Sequence, residues 1–148
     1  METNLVGAEA EHEQSARLVA GPDAKPLLRT MLRLRHDLVM IGRAVVVPLP
    51  EAFTTRLESP LAHAGVALAD YLRGSGAALL ERQGPPLFDA VESVLDAYAV
   101  EIASLRGGGL TRSLSGDAAE RFFALGFALE QMRFNLKDLE RCVAEWAR

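Results

Sequence analysis

Pro26-Leu-Leu-Arg-Thr-Met-Leu-Arg-Leu-Arg-His-Asp-Leu-Val-Met-Ile-Gly-Arg-Ala44 and Arg121-Phe-Phe-Ala-Leu-Gly-Phe-Ala-Leu-Glu-Gln-Met-Arg-Phe-Asn-Leu-Lys-Asp-Leu139 decide the fold. In both, apolar side chains recur at alternating steps of three and four, with arginines, carboxylates and an amide beside the stripe. That is the period of an amphipathic helix with one face buried. In the first, the stripe is Leu27, Met31, Leu34, Leu38, Ile41 and Val45. In the second, continued in both directions, it is Phe122, Leu125, Leu129, Met132, Leu136, Leu139, Val143 and Trp146.

Punctuation around these stretches places the other elements. Asp23 is an N-cap with Pro26 in the first turn, opening a helix over about 24–46 that Pro48-Leu-Pro50 stops. A short turn of helix follows over 51–57. Ser59-Pro60 then opens a helix to about Arg82, with Leu61, Ala64, Leu68, Leu72 and Leu79 inward and Gly74 and Gly76 weakening its middle. After the break at Gln83-Gly-Pro-Pro86, Phe88, Val91, Leu95, Tyr98, Ile102 and Leu105 mark a helix over 87–106, which Gly107-Gly-Gly109 ends. The last helix starts near Ser115 to Asp117, runs for about 30 residues and is expected to be the longest element. No strand pattern or internal repeat competes. The expected fold is all-α, an antiparallel up-down four-helix bundle over 23–148 with a short helix after the first long one. Residues 1–22 read as an acidic N-terminal arm, either a weak helix or partly ordered.

Composition limits the function. At 148 residues, one domain with a real core is expected. The longest nearly apolar run, 38–49, is cut by Arg43 and falls short of the roughly 20 residues a bilayer span needs. The N-terminus lacks the basic and apolar regions of an export signal. A lone Cys142 fits a reducing compartment. A formal charge of −4 gives no nucleic-acid footprint. The charge is unevenly spread: Glu2, Glu9, Glu11 and Glu13 precede a helix that carries Lys25, Arg29, Arg33, Arg35 and Arg43 against Asp37. The plain reading is two solvated faces of opposite sign; the alternative is that the basic face contacts an anionic lipid head group or a free anionic organic acid.

Chemistry-bearing patterns are sparse. His12, His36 and His63 lie in different elements without metal-ligand spacing. No nucleophile elbow or phosphate loop is present, and Arg106-Gly-Gly-Gly-Leu110 reads as a helix stop. Glu130 has Arg133 one turn on, the ordinary surface arrangement. No catalytic residue, cofactor or metal is therefore assigned, and an enzyme is not expected. His36 reads as a boundary residue that bonds a neighbouring helix; its sharper alternative is the phospho-acceptor of a free-standing interaction or signalling bundle. The polar residues that flank the stripes, Arg33, His36, Asp37, Arg133 and Asn135, are the candidate interaction or anion-contact set. Their simplest reading is an interhelical hydrogen-bond network that fixes register.

The two opening stretches, with Pro48-Leu-Pro50, resemble the C-terminal helical region of fusaric acid resistance family proteins, inner-membrane proteins related to aromatic carboxylic acid exporters. The likeness spans 26–146. It implies a multi-span pore region preceding this domain, to which the arm over 1–22 would link, and a place at the cytoplasmic face of the bacterial inner membrane. It also implies an accessory role in assembly, oligomerisation or gating during export of aromatic or other weak organic acids. The implied partners are the chain's own transmembrane domain and a second copy. No substrate-binding residue carries over from the family.

Overall fold

The computed structural model describes residues 21–148. Four α-helices make up nearly all of this region: α1 (Ala24–Val45), α2 (Glu51–Glu81), α3 (Asp89–Gly107) and α4 (Gly116–Trp146), with a 3-10 turn at Leu110–Ser113. Among the described residues there is no strand, and no helix is long and apolar enough to cross a membrane. The acidic arm expected at the N-terminus, His12 included, lies outside the described residues apart from Gly21 and Pro22.

Start signals act as the residue types require. The Asp23 carboxylate accepts from the Lys25 N–H at 3.0 Å, and the Ser115 hydroxyl accepts from the Ala118 N–H at 3.3 Å. Each satisfies a donor that the first turn of a helix leaves unpaired. At the end of α3 the left-handed residue is Gly109 (φ 73°), which closes the tight turn into the 3-10 segment.

Two expectations are corrected. The separate short helix over 51–57 does not exist: α2 runs unbroken for 31 residues through Pro60. Proline there lacks a donor and costs a helix interior roughly 3 kcal/mol. Phe53 and Leu57 before it nevertheless share one buried face with Ala64 and Leu68 after it, and that continuous burial holds the helix together. As a result α2 equals α4 in length, so α4 is not the longest element alone. Nor do the glycines interrupt α2. A Cβ at Gly74 would stand 3.3 Å from Pro86 Cγ, so the missing side chain is what lets the 84–88 segment lie against the helix.

The second correction concerns α1. Its packed face is Leu27, Thr30, Leu34, Asp37, Ile41 and Ala44. Met31, Leu38 and Val45, expected inside, are 48 %, 51 % and 48 % exposed. The helix is turned so that a threonine and an aspartate face its neighbour.

Contacts fix the arrangement. Arg33 pairs with Asp138 and Asp37 with Asn135, so α1 and α4 run in opposite directions. Arg56 pairs with Glu101 while Tyr71 meets Phe88 edge to face at 5.2 Å, so α2 and α3 do the same. Asp96 and Glu92 of α3 pair with Arg133 and Lys137 of α4 at 2.7 and 2.9 Å. Phe53 and Phe122 pack edge to face at 5.3 Å, joining α2 to α4. α4 is thus the hub, packed against α1, α2 and α3, whereas α1 packs against α4 and no other helix to a comparable extent. In α4 the expected stripe is buried from Phe122 to Val143, with Leu136, Met132 and Val143 wholly inaccessible.

Candidate interaction surfaces

Of the five candidate residues, Arg33, His36, Asp37 and Asn135 meet along one groove of about 510 Å3 between α1 and α4. Asn135 Nδ2 donates to Asp37 Oδ2 at 2.6 Å, and both residues are buried. Among the described residues no cation stands within ion-pair distance of Asp37, so an amide from the opposite helix holds its carboxylate. A pair of this kind is costly to leave half made and therefore pins the register of α1 on α4. Above it, Arg33 Nη1 lies 3.2 Å from Asp138 Oδ2, and its Nη2 reaches Thr30 Oγ1 at 3.5 Å. His36 is exposed at the groove and makes no side-chain hydrogen bond among the described residues, contrary to the expected bond to a neighbouring helix. The turned face of α1 explains this: Asp37 points at α4, and its neighbour in sequence points away.

Arg133 stands apart from the set. It projects toward α3, mostly buried, with Asp96 Oδ1 at 2.7 Å and Glu130 Oε2 at 3.3 Å. This is a seam residue of the α3–α4 pair. Arg29, one turn before Arg33, lines the groove as well and pairs with no carboxylate among the described residues. The spacing 29, 33, 36 and 40 along one helix face was the available signal for it. Arg29, Arg33 and His36 give the groove a cationic rim, while Leu32, Met40 and Phe127 supply apolar walls.

A second groove, of about 300 Å3, runs along the other flank of α4 against α3. Ala99, Ala103 and Gly126 leave it room, with Phe123 and Phe127 as its ridge. The Arg106 guanidinium lies over the Phe123 ring, 5.6 Å from its centre. Sequence reading passed over these rings because Phe123 and Phe127 lie off the buried stripe.

Two tyrosines report how dry the interior is. Tyr98 is buried without a hydrogen-bond partner for its hydroxyl, and burial pushes its pKa well up. Tyr71, pushed up to about 12, is raised first by burial and then by the Glu140 carboxylate, with the Ser75 hydroxyl one turn on offsetting a little. Among the described residues no three His, Cys, Asp or Glu side chains gather as a metal cage, and the Cys142 thiol is buried and free. His36 and His63 stand exposed on different helices. The surfaces beside α4 are thus a cationic, apolar-walled groove toward α1 and an aromatic ridge toward α3.

No family model matches the chain, and neither a curated protein nor a solved structure does.

Proposed function

We propose that the chain is the helical accessory domain of a membrane exporter of aromatic or other weak organic acids, standing at the cytoplasmic face of the inner membrane. Its part is assembly or gating of a pore region, with no chemistry on the solute. The reading rests on the family resemblance over 26–146. The observation that supports it best is the state of α1. This helix comes first in the bundle, covers α4 with one face, and leaves Leu28, Leu32 and Val39 exposed beside the cationic row of Arg29, Arg33 and His36. An apolar strip flanked by arginines suits a partner that offers carboxylates, backbone carbonyls or lipid phosphates over apolar surface. Arg133, engaged with Asp96 and Glu130, belongs to the bundle and is no part of this docking face.

An antibody against the domain, used on fractionated native cells, tests the reading. The expected result is a band in the membrane fraction much heavier than 16.0 kDa. A band of about that size outside the membrane fraction would overturn it. In the full-length protein, the double substitution Arg29→Glu and Arg33→Glu should impair export while the isolated bundle keeps its helicity; unimpaired export would remove α1 as the docking face.

A further inference from the structure

The outward face of α4 carries a second heptad opposite its buried one. Glu120, Phe123, Phe127, Glu130, Phe134, Lys137 and Arg141 follow at steps of 3, 4, 3, 4, 3 and 4, and all seven are exposed. Three of the chain's six phenylalanines stand on this stripe, at 48 %, 67 % and 56 % exposure, while Phe53, Phe88 and Phe122 fill the core. Among the described residues these rings meet little: the Arg106 guanidinium lies over Phe123, the edge of Phe122 stands against the same ring, and Phe127 walls the α1–α4 groove. Three phenylalanines spaced by 4 and 7 residues, within a stripe of period 3.5 whose other members are charged, suit a short seam between two helices.

We infer that this stripe is a dimer interface, on which α4 of a second copy lies antiparallel across a two-fold axis. The order of charges selects that occupant. The acid Glu120 stands three residues before Phe123, and the base Lys137 three residues after Phe134. The antiparallel register that sets Phe123 against Phe134 of the second copy therefore also sets Glu120 against its Lys137, and symmetry makes both pairings twice. In the same register each Phe127 is set against Glu130 of the second copy, with the two Phe127 rings about one turn apart beside the axis, and the charge of Glu130 is already balanced by its own Arg133 at 3.3 Å. Lys137 holds Glu92 at 2.9 Å and keeps further donors free for a second carboxylate. The hollow floored by Ala99, Ala103 and Gly126, beside Phe123, receives Phe134 of the second copy. An anionic lipid surface would instead call for uniform positive charge, whereas the stripe holds two acids and two bases. Aromatic rings at the centre with charges at the ends is also the usual anatomy of a protein interface. The inference goes beyond the exporter reading, which implies a second copy but gives no surface for it, and its test on this chain alone can fail while that reading stands.

Sedimentation equilibrium of the 148-residue chain across a concentration series tests it. The wild type should move from 16.0 kDa toward twice that mass as concentration rises. Phe127→Glu should raise the dissociation constant at least about tenfold without changing helicity, as expected for a central anchor. Glu120→Lys should weaken the dimer, and adding Lys137→Glu to it should restore association, because the swapped charges again oppose one another. A wild type that stays at the monomer mass up to about 1 mM, near the weakest association of note, would overturn the inference. So would a dimer indifferent to both sets of substitutions, or an assembly larger than two.

Discussion

α1 and α4 lie side by side, share the Asn135 to Asp37 bond, and are held in different ways. α4 has helices packed on three flanks and buries an apolar residue at every turn from Phe122 to Val143. α1 has one neighbour, and its seam includes a threonine and an aspartate among only two fully buried apolar residues, Leu34 and Ala44. Burial free energy scales with the apolar area removed from water, so the two helices differ in how strongly the rest of the chain holds them. α1 and α4 form the most closely packed pair and α2 and α3 the next, with α4 joining the two pairs through lighter contacts, so α1 is held to the bundle chiefly through α4.

Substitutions that break this contrast rank by the surroundings of each site. The largest effect belongs to Leu136→Ala, at a wholly inaccessible position on α4. Destabilisation of roughly 2 to 5 kcal/mol is expected from lost transfer energy plus the cavity. Chemical denaturation measures it, and an unchanged midpoint would mean that the hub is misassigned. Next comes Asn135→Ala, which strands the Asp37 carboxylate inside the seam and should cost about 1 to 3 kcal/mol. Replacing both Asp37 and Asn135 by leucine should recover much of that loss, since an apolar pair leaves nothing unpaired. If the double variant is no better than the single one, the pair does more than satisfy itself.

The core can also be stressed without mutation. Tyr71 carries its proton more tightly when folded, with a pKa of about 12 against an ordinary 10.0. The folded state therefore binds more protons than the unfolded state between those values, and stability falls as pH rises through that window. Below pH 10 this contribution is fully present. Tyr98, shifted in the same direction by burial, adds to the loss. Thermal melts from pH 9 to 12 should show the decline, with Tyr71→Phe and Tyr98→Phe together flattening it. A wild-type melting temperature constant over that range would contradict the dry surroundings of these hydroxyls.

The smallest effect is expected on the outer side of α1. Leu38→Ala, at 51 % exposure, should change stability by no more than about 0.5 kcal/mol in the isolated chain. A cost near that of Leu136→Ala would show that this face is covered by something the described helices do not supply.

The same contrast explains what was legible in the sequence. On α4 the buried stripe reads directly because it is unbroken from Phe122 to Val143, whereas the rings on the opposite face, Phe123, Phe127 and Phe134, share their stripe with charged residues. On α1 apolar residues cover more than one face: Leu27, Leu34 and Ile41 are common to the expected and the observed seam, and Met31 and Leu38 compete with Thr30 and Asp37 for the rest. The partner that decides the matter, Asn135, is 98 residues away, and no local pattern announces a bond of that range. The continuity of α2 was hidden for a related reason, since Pro60 gives a strong local stop signal that the Phe53, Leu57, Ala64 and Leu68 face overrides only once the other helices are in place. At the candidate surface, residue types led to four members of one groove. Arg133 shares their chemistry but points to the opposite flank of α4, and Arg29 reads in the sequence only as one of the basic residues of α1, because only the turned helix brings it to the rim.

Native-state hydrogen exchange across a urea series, resolved by helix, tests the central claim that α1, held chiefly through α4 over a partly polar seam, opens before the rest of the bundle. The expected result is that amides of α1 exchange through an opening of lower free energy, with α4 still protected over Phe122 to Val143. Equal protection of α1 and α4, falling together at every urea concentration, would contradict it and make the bundle a single unit of four equal helices.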